Sequence, residues 1–158
     1  MNFNSEKIYE SILEIQKKWG DGIIEIGRFH KENKCVNEIS KTFIEELYFF
    51  QDCKVLFKPT KASKLQFRKS KDEFLSYFVG KNKVSDEDIG FALEPWKEIT
   101  FKNFDYIFTN DLILSMGNYY FKNYKDEVFK VEYTFVYKYD SKKILKILLH
   151  HSSLPYNN

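Results

Sequence analysis

The chain has 158 residues, with 25 Lys and Arg against 23 Asp and Glu for a formal charge of +2. So even a balance argues against a surface built mainly for phosphates or anionic lipid. With 43% hydrophobic and 18% aromatic residues, the chain lies outside the disordered regime and is expected to fold as one domain over 1–158.

From Ser5 to Phe29 the apolar positions Ile8, Ile12, Ile15, Trp19, Ile23 and Ile26 keep to one helical stripe. Gly20, Gly22 and Gly27 interrupt it, so either a neighbour approaches closely or the helix bends. Ile39, Phe43, Leu47 and Phe50 mark a second helix over about Val36 to Phe50. Lys54 to Thr60 reads as a strand ended by Pro59, which would leave the Thr60 hydroxyl free to turn inward. Ser70 and Glu73 have capping-box spacing, predicting a short helix with Phe74, Leu75, Tyr77 and Phe78 that stops at Gly80. The loop from Lys81 to Asp88 reads as charged and mobile.

Beyond it the period changes to two. Glu98 to Lys102, Leu112 to Phe121, Val128 to Tyr139 and Ile144 to Ser153 read as strands separated by turns at Thr109 to Asp111 and Asp140 to Lys143. Helices followed by a meander of strands give an α+β domain, with the helices packed on one face of a curved antiparallel sheet.

No apolar run reaches the roughly 18 residues of a membrane span. The start, MNFNSEKIYE, lacks the pattern of a secretory signal, so a cytoplasmic location is expected. Cys35 and Cys53 form neither a CxxC pair nor a Cys/His cluster and read as free thiols.

The last strand is the informative place for chemistry. Lys146 is expected to face water, so alternation puts Leu148, His150 and Ser152 on its side and Leu145, Ile147, Leu149, His151 and Ser153 on the other. His151 and Ser153 are therefore expected to look into one cavity. No Ser/His/Asp order, glycine-rich phosphate loop or HExxH appears.

Seven strings carry a resemblance: KWGDGIIEIGRFH (18–30), VLFKPTKASKLQFR (55–68), LSYFVG (75–80), GFALEPW (90–96), SMGNYYF (115–121), VEYTFVY (131–137) and LLHHSSLPY (148–156). In this order they resemble the iota-class carbonic anhydrases, and the ending more distantly resembles the association domain of calcium/calmodulin-dependent kinase II. The resemblance implies a cone-shaped nuclear transport factor 2-like fold and reversible hydration of CO2 to bicarbonate. It maps Thr60, Tyr77 and the HHSS ending onto the family's pocket, and Asn118 onto a further polar position. Phe135 stands where a small residue is expected, which would affect pocket width. The expected catalytic set is Thr60, Tyr77, His151 and Ser153, with Thr60, Tyr77, Asn118 and Ser153 binding substrate and His151 taking or relaying a proton.

No cofactor is expected, zinc or manganese being the alternative. The expected partner is CO2 or bicarbonate in a homodimer, with neither nucleic acid nor membrane bound. The competing expectation is a non-catalytic ligand-binding or oligomeric hub module of the same fold.

Overall fold

In the computed structural model, which describes residues 5–80 and 84–157, three helices and a one-turn 3-10 segment pack on one face of a five-stranded sheet. Helix α1 (Ser5–Lys31) places Ile8, Ile12, Ile15, Trp19, Ile23 and Ile26 in the core. Its glycines admit neighbours rather than a bend: a Cβ on Gly22 would lie 2.5 Å from the Phe43 ring, and one on Gly27 would lie 3.1 Å from the carbonyl oxygens of Ala92 and Glu94.

Helix α2 (Asn37–Leu47) is shorter than the apolar stripe suggested, because Tyr48 turns extended and bridges to Ile147 in the last strand. Helix α3 (Lys71–Val79) has the capping box read from Ser70 and Glu73, and Gly80 ends it in the left-handed region at φ 64°. The turn Phe91–Leu93 follows.

The strands are β1 (Leu56–Lys58), β2 (Trp96–Thr109), β3 (Leu112–Asn123), β4 (Val128–Tyr139) and β5 (Leu145–Ser153), in the spatial order β1-β5-β4-β3-β2. β2 to β5 form the antiparallel meander, whereas β1 joins the edge of β5 in parallel. Placing Lys58 opposite His151, this parallel pairing brings the Pro59–Thr60 turn to the end of β5. β2 starts before the alternating segment that announced it and continues to Thr109 past a register shift between Asn103 and Asp105.

Besides the length of α2, three sequence expectations need correction. Lys146, expected in water, is buried, because its ammonium donates to the Glu45 and Glu46 carbonyls left open at the end of α2. Part of the loop from Lys81 to Asp88 lies outside the described residues at 81–83. Its far end is built into the interior, with Asp88 buried against Arg68. The alternation in β5 is also broken. Leu145 and Ile147 point into the core as expected, but Tyr137 pairs with Ile147 and Val136 with Leu149, so Leu148 is an extra residue, a β-bulge. Beyond the bulge the faces exchange, and His150 and Ser152 point inward while His151 and Ser153 point out.

Candidate active site

Three segments deliver polar groups to one spot in an aromatic core. β5 supplies His150 and Ser152, each 1% exposed. The turn after β1 supplies Thr60, and β3 supplies Tyr119 from its inner face. Ser152 Oγ hydrogen-bonds both the Thr60 hydroxyl and the Tyr119 phenol. Next to Thr60 in the chain, the Lys61 backbone N–H donates to the phenol oxygen of Tyr77 on α3 at 3.3 Å.

Behind this row the imidazole of His150 sits between two phenols. Its Nε2 is 3.3 Å from Tyr119 Oη, and its Nδ1 is 3.0 Å from Tyr48 Oη. Tyr48 accepts the indole N–H of Trp19 at 2.9 Å. Rings of Trp19, Phe57 and Phe135 pack on the imidazole, with the Phe135 centroid 4.4 Å away, so the large residue at 135 narrows the space beside His150.

Burial among these rings disfavours every charged form. It pushes the phenols of Tyr77 and Tyr119 above their usual range. It also holds His150 well below its ordinary value of 6.5, with His151 as a lesser cause. Near neutral pH the whole row is therefore uncharged: two alcohols, two phenols and a neutral imidazole.

Tyr77 also reaches the surface. It lines a cavity of about 440 Å³ with Lys61, Phe91 and Glu94, and the Lys61 ammonium spans this opening to Glu94 at 3.3 Å. Tyr77 thus connects the row to the lining of this cavity.

Of the residues expected from sequence, Thr60 and Tyr77 are in the row. His151, Ser153 and Asn118 are not; they line a separate depression on the outer face of the sheet with Met116 and Phe104. There the Ser153 hydroxyl donates to Glu132 Oε2 at 3.1 Å, and the Asn118 amide donates to the Val131 carbonyl at 3.4 Å. The bulge at Leu148 is the physical reason for the exchange. Neither Tyr119 nor Tyr48 stood out in the sequence. Tyr119 sits on an apolar face two residues before Phe121, and nothing local separates it from a core tyrosine.

No three His, Cys, Asp or Glu side chains among the described residues are grouped to hold a metal ion. His150 and His151 face opposite sides of the sheet, as adjacent strand residues do.

Comparison with known proteins agrees with this architecture. The chain is 34% identical over 148 residues to a metal-independent carbonic anhydrase of Nostoc sp. (strain PCC 7120), covering 92% of this chain and 72% of that one. A crystal structure of the iota-carbonic anhydrase from a cyanobacterium, complexed with bicarbonate, superposes with a TM-score of 0.90 at 32% identity over 94% of this chain and 93% of that one. A calcium/calmodulin-dependent kinase II association domain from Xanthomonas campestris shares the fold alone, with a TM-score of 0.57 at 16% identity over 99% and 91% of the two chains. The metal-independent carbonic anhydrase family model matches residues 10–154, a span that includes every member of the hydroxyl row, and the chain belongs to that family.

Proposed function

We propose that the row Thr60, Tyr77, Tyr119 and Ser152 is where this chain, as a metal-independent carbonic anhydrase, hydrates CO2 reversibly to bicarbonate. The observation that carries the assignment is the bonding of Ser152 Oγ to Thr60 and Tyr119 at once, beside a neutral imidazole in an apolar shell. Apolar walls suit CO2, and hydroxyl donors suit the oxygens on which charge develops.

A site with no ionised group cannot rest on a preformed hydroxide, since bulk water has a pKa near 15.7. A hydroxyl, however, accepts and donates in the same step. As the water oxygen bonds to the carbon, one water proton passes to a row hydroxyl while that hydroxyl gives its own proton to a CO2 oxygen, which takes the π pair of its C=O bond. The product is carbonic acid; it gives a proton to solvent and leaves as bicarbonate through the mouth at Tyr77 and Lys61. General acid–base help of this kind contributes on the order of 10²- to 10⁴-fold.

The test is the pH drop in CO2-saturated buffer with protein dialysed against chelator. Acceleration above the uncatalysed rate is expected, together with its loss in the Tyr77→Phe, Ser152→Ala double variant at unchanged circular dichroism. Full activity in that variant overturns the site. Absence of acceleration in the unaltered protein leaves the non-catalytic binding module.

Two coarser features extend the proposal. The outer sheet face, where Phe104 is 84% and Met116 51% exposed, is proposed as the contact of a homodimer. The exposed free thiols Cys35 and Cys53 fit a reducing cytoplasm. No described helix is long and apolar enough to cross a membrane.

A further inference from the structure

We propose that Tyr48 is a positioning residue that fixes His150 as the Nε2–H tautomer, so that the imidazole serves the hydroxyl row as a donor and not as the acceptor of the water proton. The inference rests on the site proposed above and adds the direction in which its hydrogen bonds run.

The direction follows from counting protons. An indole N–H only donates, so Tyr48 Oη, 2.9 Å from Trp19 Nε1, accepts there. A neutral imidazole has one N–H, and two placements are open to it. With the proton on Nδ1, Tyr48 would face a donor on either side, and its own phenol proton, on a fully buried residue, would have nothing to bond to in Trp19 or His150. Such an orphan is what buried polar groups avoid. With the proton on Nε2, Tyr48 donates to Nδ1 at 3.0 Å and His150 donates to Tyr119 Oη at 3.3 Å.

The rest of the chain then has one polarity. Tyr119, accepting from His150, gives its proton to Ser152, and Ser152 gives its own to Thr60. At the outer end of the row the Tyr77 phenol oxygen accepts from the Lys61 N–H. The only lone pair of the imidazole ring is covered by Tyr48. A proton leaving the attacking water therefore has no vacancy on His150 and moves between hydroxyl and CO2 oxygens instead.

The experiment is long-range ¹H–¹⁵N correlation spectroscopy of the folded, histidine-labelled protein near neutral pH, alongside CO2 hydration kinetics. His150 is expected as the Nε2–H tautomer in the unaltered protein. Tyr48→Phe is expected to mix the two tautomers and to lower kcat roughly 10- to 100-fold with a much smaller change in KM. An Nδ1–H signal in the unaltered protein overturns the inference, as does a Tyr48→Phe variant with tautomer and kcat unchanged. Should Tyr48→Phe not fold, the tautomer of the unaltered protein decides alone. The spectrum is independent of turnover, so an inactive protein with the Nε2–H tautomer would reject the catalytic site while leaving the role of Tyr48 standing.

Discussion

Arg68 meets Asp88 in a fork, Nη1 to Oδ2 at 2.6 Å and Nη2 to Oδ1 at 2.7 Å, with neither side chain exposed to solvent. The pair ties the segment after β1 to the one after α3. The Asp88 carboxylate also accepts the Ser76 hydroxyl, and the guanidinium carbon lies 5.5 Å from the centre of the Tyr77 ring. Removing one partner of such a pair leaves an uncompensated buried charge, at a cost of about 3–5 kcal/mol. Asp88→Ala is therefore expected to lower the free energy of unfolding in urea by that amount, and more than Arg68→Met combined with Asp88→Leu. Equal loss in the single and double variants would show that packing, not charge, dominates.

The bulge at Leu148 makes the two serines of β5 unequal. Ser152→Ala is expected to reduce CO2 hydration about 100-fold or more, as loss of one preorganised donor does elsewhere. Ser153→Ala and His151→Ala, on the outer face, are expected to stay within about twofold. Stopped-flow traces with a pH indicator measure all three, and a Ser153→Ala defect as deep as that of Ser152→Ala would put the site on the wrong face.

Burial of neutral His150 makes stability depend on pH. Its folded-state value lies well below the ordinary 6.5, so between the two the unfolded chain binds the extra proton. The stability is complete above pH 6.5 and is lost as pH falls toward the folded-state value, with a slope of up to about 1.4 kcal/mol per pH unit. Thermal melts are expected to show Tm declining from pH 6.5 to 5, and His150→Gln, though less stable throughout, should flatten that decline.

Gly117 in β3 lies under the irregular stretch of β2. A Cβ there would sit 2.3 Å from the Lys102 carbonyl oxygen and 2.9 Å from the Phe104 nitrogen, both of them backbone atoms that cannot swing aside. Gly117→Ala is expected to cost about 1–3 kcal/mol by forcing the strands apart. Denaturant unfolding would register it, and a neutral result would mean that β2 shifts freely.

Much of this molecule could be read from residue order. The stripe from Ile8 to Ile26, the capping box at Ser70 and the turn at Asp140 act locally, and each element formed where its own chemistry placed it. The 3.6-to-2 change of period gave the α+β class, and the long shared strings gave the family. Thr60 and Tyr77 were singled out through those strings, with Pro59 and the helix around Tyr77 fixing their local surroundings. The alternation exchanges the faces of the histidine and serine doublets because a bulge carries no local signature: Leu148 is extra only relative to the register of β4. Tyr48, Tyr119 and the Arg68–Asp88 fork depend on contacts between distant segments, which no window of sequence contains.

The doublet His150-His151-Ser152-Ser153 has a consequence for strand slippage. Moving a strand by one position normally exchanges a reactive side chain for whatever stands beside it. Here the replacement is chemically the same, because straightening the strand so that Leu148 joins the ladder would swing a second imidazole and a second alcohol into the interior. The final strand thus carries a second His/Ser pair one position along, and whether Leu148 bulges or joins the ladder decides which of the two pairs faces the core.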